Sequence, residues 1–202
     1  MIRILPLIIV LVLTTFGSAW AGTDGRLRVV MLGDSLTAGY DWPGALPEAR
    51  VVNQGISGDT TTAIAKRLDR VAAARPDIIF LQAGINDLAG RVKPEIVLER
   101  HLHIWEELHQ RLPGSRLYVV SLLPVCGRYD NLSPAVLELN GLLRKAAQDH
   151  SLVFIDVYPL LADNDGKLRR NLTHDDLHLR AEAYPLWVGA IKPYINDINA
   201  VN

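Results

Sequence analysis

Five short runs of apolar, largely β-branched residues recur along the chain, and longer stretches with helical spacing lie between them. The runs are residues 27–32 (LRVVML), 50–54 (RVVNQ), 77–82 (DIIFLQ), 116–122 (RLYVVSL) and 152–156 (LVFID). All but the second are close to continuously apolar. A strand reads that way when both of its faces are covered, as in a parallel sheet with helices on either side. Residues 60–74 carry Ile64, Leu68, Val71 and Ala72 three or four apart, with Asp59 placed as N-cap and Arg75-Pro76 as the stop. Residues 95–112 follow Pro94 and repeat Ile96, Leu98, Leu102, Trp105, Leu108 and Leu112. Residues 134–150 have Ser133 as N-cap and Pro134 at the first helical position. A last helix covers 180–195, softened at Pro185. This alternation predicts an α/β fold, a three-layer α/β/α sandwich on a five-stranded parallel sheet.

The N-terminus is different in kind. Arg3 is followed by an apolar run over 4–13 broken only by Pro6, and then by small residues ending in Ala19-Trp20-Ala21. A positive start, an apolar centre and a small-x-small ending describe a secretory signal peptide, here residues 1–21, cut after Ala21. The apolar part is short of the ~20 residues that a spanning helix needs, so no stable membrane span is expected after processing. The remaining chain, 22–202, is expected to form one domain working in the periplasm or secreted. Cys126 is the one cysteine of the 202 residues, which excludes an intrachain disulfide framework and a multi-cysteine zinc site. Lys and Arg number 21 against 22 Asp and Glu, so the basic excess of a nucleic-acid binder is absent. The sequence carries no signal for an oligomeric state.

In parallel α/β sheets the working groups gather beyond the carboxyl ends of the strands. Beyond the first run stands Gly33-Asp34-Ser35-Leu36; beyond the second, Gly55-Ile56-Ser57-Gly58-Asp59-Thr60; beyond the third, Gly84-Ile85-Asn86-Asp87. His174-Asp175-Asp176-Leu177-His178 precedes the last helix. These four blocks, in this order, resemble the SGNH (GDSL) esterase and lipase family, and the likeness runs from about Val29 into the last helix. The resemblance implies a flavodoxin-like sheet, with Ser35 as nucleophile and with Asp175 and His178 as the Asp and His of the family's Asp-x-x-His motif. It assigns an oxyanion hole to the backbone N–H groups of Ser35 and Gly58 and the side-chain amide of Asn86.

The residues support that chemistry on their own terms. A serine hydroxyl is a weak nucleophile until a base takes its proton. Six histidines are available. His101, His103 and His109 share one predicted helix and are read as solvated, and His150 closes another. Of His174 and His178, the second has Asp175 three positions before it, where a short turn can set the imidazole tautomer. His174 and Asp176 are the nearest decoys. Plainer readings exist for each residue: Ser35 as a helix cap, Gly58 and Asn86 as turn formers. Asp34, Asp59 and Asp87 read as structural. A metal held by His174 and His178 lacks a third ligand, and Gly55 and Gly58 lack the Lys-Ser/Thr of a phosphate loop. No metal or other cofactor is expected.

Two departures stand out. The Gly-x-Ser-x-Gly elbow of other esterases is absent around Ser35. Ile85 takes the place of a second glycine in the third block and is expected beside the pocket. The pocket is expected to be shallow and open, lined by loops 88–93 and 124–133, with Cys126 and Arg128 as ordinary loop residues. Ser121-Leu122-Leu123-Pro124 with Asn140 resembles the platelet-activating-factor acetylhydrolase branch; residues 33–36 and 56–60 resemble the thioesterase/lysophospholipase branch. The expected activity is hydrolysis of short-to-medium acyl esters or thioesters through an acyl-enzyme, on a small-molecule or lipid substrate. The alternatives are a carbohydrate O-acetylesterase acting on glycans and a non-catalytic binding module with a relic site.

Overall fold

The structure is a computed structural model in which residues 25–196 are described. The signal peptide expected over 1–21 lies outside the described residues. Strand β1 (Arg28–Gly33) leads into two one-turn helices, α1 (Ser35–Ala38) and α2 (Trp42–Ala45), and then into β2 (Arg50–Gly55). Helices α3 (Thr61–Ala65) and α4 (Leu68–Ala73) precede β3 (Ile78–Gln82), which is followed by α5 (Ile85–Ala89) and the long α6 (Pro94–Arg111). Strand β4 (Arg116–Val120) connects through a 3-10 turn at Gly127–Leu132 to α7 (Ser133–Asp149) and β5 (Val153–Ile155). Helices α8 (Tyr158–Leu161), α9 (Tyr184–Ile191) and α10 (Pro193–Asn196) follow.

The strands lie in the order β2-β1-β3-β4-β5 and every neighbouring pair is parallel. This is the five-stranded parallel sheet expected from the apolar runs, with helices on both faces. On one face α3, α4 and α7 pack against α6. On the other, Trp187 of α9 meets Trp42 of α2, and Tyr194 of α10 meets Tyr118 of β4. The residues 29–32 of β1 are essentially inaccessible to solvent, as a central strand requires. The winding reverses at β1, which has β2 on one side and β3 on the other. Gly33 is in register with Gly55 across one ladder and with Gln82 across the other. Three strands therefore end level, and their loops leave the sheet side by side at its switch point.

Several local expectations are corrected. The helix expected over 60–74 breaks between Ala65 and Leu68, where Arg67 departs from helical backbone at φ −121°. Its cap is Thr60, whose Oγ1 accepts from the Ala63 N–H, because the Asp59 carboxylate is engaged by Arg67 instead. Ser133 is the first residue of α7 rather than its cap: a 3-10 turn runs straight into the helix, and no side-chain cap bond forms. The last helix is three pieces, a 3-10 turn at Ala181–Ala183 and then α9 and α10, with Pro185 in the first turn of α9 and Pro193 opening α10. His101 is fully buried, not solvated; Val97, His101, Ile104, Trp105 and Leu108 form the inward face of α6. Its Nε2–H donates to the Ala83 carbonyl at 3.1 Å, and burial pulls its pKa down to about 4, so the ring stays neutral. His103 and His109 are exposed as expected.

Candidate active site

Ser35 opens α1, directly beyond the end of β1. A four-residue helix has no stability of its own, so tertiary bonds must hold it. Asp34 Oδ1 accepts from the Leu36 N–H at 3.0 Å. The Trp42 indole donates to the Thr37 carbonyl at 2.7 Å, and Tyr184 of α9 donates to the Leu36 carbonyl at 2.9 Å. Tyr184 is stacked on Tyr40 and meets Trp42 edge-on, and burial pushes its hydroxyl up to about 12, so it remains a donor. As the first helical residue, Ser35 has a backbone N–H with no acceptor inside its own helix.

His178 reaches the same place from the far end of the chain. The loop that carries it is closed by an antiparallel bridge between Thr173 and Leu179, and Thr173 Oγ1 donates to the His178 carbonyl at 2.8 Å. Asp175 Oδ1 accepts from the backbone N–H groups of Leu177 and His178, and Oδ2 lies 2.7 Å from His178 Nδ1. Partial burial pushes the Asp175 carboxyl up, but hydrogen bonds from the His178 ring and from the two backbone N–H groups outweigh it and hold it at about 2. An ionised carboxylate can only accept, so Nδ1 carries a proton, and the neutral form of the ring has its lone pair on Nε2. Nε2 lies 2.9 Å from Ser35 Oγ, across 143 residues of sequence. The three residues named from the sequence are thus joined in one hydrogen-bonded line. His174 is exposed and outside it.

Asp176, the other decoy, engages the loop at Cys126 and Arg128. Its carboxylate accepts from the Arg128 N–H at 3.2 Å and lies 3.5 Å from Cys126 Sγ, and its carbonyl accepts from the Cys126 N–H. Cys126 is buried, and burial together with Asp176 pushes its thiol pKa up, which leaves it a structural thiol. Arg128 is the closer of the two loop residues to the site: its Nε donates to the Asp175 carbonyl at 3.1 Å. Ile85, expected beside the pocket, is buried in the main core.

Gly58 is at the third position of a turn closed by the Asp59 N–H on the Ile56 carbonyl at 3.1 Å. Its φ of +82° is the conformation that a type II turn demands there. A Cβ at Gly58 would meet nothing within 4 Å, so conformation rather than space calls for glycine. Asn86 is in the first turn of α5, after Gly84 at φ +127°. One N–H of its amide donates to the Asp59 carbonyl at 2.9 Å, and an amide group has a second N–H to offer. Asp87 anchors the neighbourhood: it accepts from the Thr61 N–H and hydroxyl and from Arg100, each at 2.8 Å.

Two features were not read from the sequence. Arg67 is nine-tenths buried against Asp59 and the end of β1; its spacing, three residues after Ile64 and four before Val71, was the available signal. Asp34 was read as structural, but not as a perturbed acid. Its burial pushes its pKa to about 7 against the pull of the Leu36 N–H and His178, with Asp59 and Asp87 adding to the rise. Its Oδ2 has no hydrogen-bond partner among the described residues.

The side chains of Asp175 and His178 are about a third exposed, at 31% and 38%, so the line ends at an open surface. A separate cavity of about 280 Å³, lined by Trp105, Leu117 and Leu152, lies at the amino ends of β3 and β4, away from these residues. Among the described residues no group of three or more His, Cys, Asp or Glu could hold a metal ion, and no helix is long and apolar enough to cross a membrane.

Comparison with known proteins adds independent findings. The sequence model of the GDSL-like Lipase/Acylhydrolase family matches residues 31–186. An arylesterase of Vibrio mimicus is 32% identical over 112 residues, covering 48% of this chain and 53% of the arylesterase. The chain thus spans about half the length of that curated relative. Among solved structures, a GDSL-like lipase of Bacteroides thetaiotaomicron superposes with a TM-score of 0.75 at 20% identity, covering 88% of this chain and 92% of the other. A mutant of the acetyl-xylooligosaccharide esterase Axe2 of a Geobacillus superposes with a TM-score of 0.69 at 19% identity, covering 87% and 96%. At such identities these two show a shared fold.

Proposed function

The chain belongs to the GDSL-like lipase/acylhydrolase family, and from that premise we propose that it is a serine hydrolase for carboxylic esters of short to medium acyl groups. The observation that carries the proposal is the hydrogen-bonded line from Asp175 through His178 to Ser35, with Nε2 2.9 Å from Oγ. In this reading His178 takes the Ser35 proton as Oγ attacks the ester carbonyl. Asp175 steadies the imidazolium that forms, and the same ring then protonates the leaving alcohol. The acyl-enzyme is released by water that His178 activates in turn. The backbone N–H groups of Ser35 and Gly58 and the free amide N–H of Asn86 receive the oxyanion, each such donor contributing about 10²–10³ to turnover. The chemistry needs neither a metal nor an organic cofactor.

The open surface at His178 favours small or extended substrates over a chain that must be enclosed. The arylesterase relative supports esters with good leaving groups. In the same reading the mature protein is 22–202, exported to the periplasm or secreted after cleavage behind Ala21; the support is the leader pattern of the sequence. The deciding experiment is a panel of p-nitrophenyl esters from acetate to palmitate beside acyl thioesters, lysophospholipid and acetylated xylan. Highest kcat/KM on the short aryl esters supports the reading. Preference for acetylated xylan transfers the site to glycans. Inertness toward all of them, with no mass shift of the Ser35 peptide on fluorophosphonate treatment, makes it a relic.

A further inference from the structure

The three donors assigned to the oxyanion come from three different strand ends, and something must fix their mutual positions to a few tenths of an ångström. We propose that Arg67 is the positioning residue that locks them together, acting through Asp59 and the end of β1. This inference rests on the hydrolase reading of the site.

The Arg67 guanidinium makes two directed bonds. Nε donates to Asp59 Oδ2 at 2.6 Å, and Nη2 donates to the Gly33 carbonyl at 2.9 Å. The Gly33 carbonyl also accepts from the Ile56 N–H at 3.2 Å, which starts the turn that presents Gly58. That turn ends at Asp59, whose carbonyl takes the Asn86 amide at 2.9 Å. The bonds close a ring: Gly33, Ile56, the turn, Asp59, Arg67 and back to Gly33. Gly33 is two residues before Ser35, Gly58 is inside the ring, and Asn86 hangs from its edge. All three donors are therefore referenced to one planar, doubly bonded group. A guanidinium suits the task because its donors are fixed in a fork, which an ammonium cannot imitate. The backbone is consistent with this demand. The helix expected to run unbroken through residue 67 gives up its regular geometry there, and the side chain is nine-tenths buried.

Arg67 touches neither the serine nor the base, so its effect belongs in turnover and should depend on the donors it places. The experiment is a double-mutant cycle of Arg67→Met and Asn86→Ala, with kcat and KM for p-nitrophenyl acetate and thermal melting of each protein. Arg67→Met is expected to lower kcat about 10–100-fold with KM within about twofold. In the Asn86→Ala background the same substitution is expected to cost less than a third of that factor, while the two losses of melting temperature add. Arg67→Lys keeps the charge but not the fork and should restore melting more than kcat. Equal kcat losses in both backgrounds, or a loss in KM alone, overturn the inference. Should Arg67→Met fail to fold, Asp59→Asn and Arg67→Lys carry the same cycle. A parent that hydrolyses nothing, or no better than Ser35→Ala, removes the reading of the site itself. An active parent with an additive cycle removes only the role of Arg67.

Discussion

Asp175 grips His178 at two points: one carboxylate oxygen accepts the residue's own backbone N–H at 2.7 Å, and the other accepts its ring Nδ1–H at 2.7 Å. The residue is thereby fixed in place and in tautomer by a neighbour three positions away. Precision at the base is thus local, and only the placement of Ser35 opposite Nε2 is a matter of long-range folding.

Replacing Asp175 with Asn leaves one acceptor oxygen where three donors use two, so the amide NH2 must face either the His178 ring Nδ1–H or the backbone N–H groups of Leu177 and His178. We expect kcat to fall by about 10³–10⁴ with little change in KM. Asp176→Asn touches the Cys126 and Arg128 side instead, so its kcat should stay within about tenfold of the parent while its melting temperature drops. Steady-state kinetics and thermal melting of both variants check this; equal kcat losses would mean that Asp176 also serves the base.

Ser35→Ala deletes the hydroxyl and nothing that holds α1, because the bonds to Asp34, Trp42 and Tyr184 involve residues 36 and 37. Turnover should fall below about one percent of the parent, the fluorophosphonate adduct should vanish, and the urea midpoint should stay unchanged. Residual turnover above that level, in a folded variant, assigns the nucleophile elsewhere.

Gly58→Ala meets no neighbour, so its whole effect comes from a backbone that L residues resist at φ +82°. Stability should drop by about 1–2 kcal/mol. Activity should fall further than that modest change suggests, because relief of the strain rotates the Gly58 N–H. Urea titration beside kcat measures both, and an unchanged kcat removes Gly58 from the donor set.

The buried Asp34 gives a pH signature of definite sign. Its pKa in the folded protein is raised from the usual carboxylate range to about 7, so between about pH 4 and 7 the native state keeps a proton that the unfolded chain has released. Stability owed to this group is therefore present at low pH and declines as pH rises through that window. Asp34→Asn removes the decline while keeping an acceptor for the Leu36 N–H. Urea midpoints from pH 4 to 8 should show the variant gaining on the parent up to about pH 7 and then holding a constant margin. A difference that does not vary with pH rejects a buried, protonated Asp34.

Much of this molecule could be read along the chain. The apolar runs at 27–32, 77–82 and 116–122 specified buried parallel strands, since a period of burial is a local property that the residues carry with them. The groups to inspect followed from where those strands end, and Asp175 could be told from Asp176 by its spacing to His178. What the one-dimensional pattern withheld were choices among partners. Residues 60–74 have unbroken helical spacing, yet the helix breaks because Arg67 is drawn to Asp59 and Gly33, and the energy of those bonds is absent from any local window. His101 had the spacing of an inward residue on α6, but its polarity argued for water until the Ala83 carbonyl supplied a partner. Sequence by itself fixed which residues carry reactive groups and which segments are buried. Tertiary structure alone decided that a hydroxyl and an imidazole 143 residues apart meet at 2.9 Å, because that distance depends on how the sheet and its two helical layers pack together.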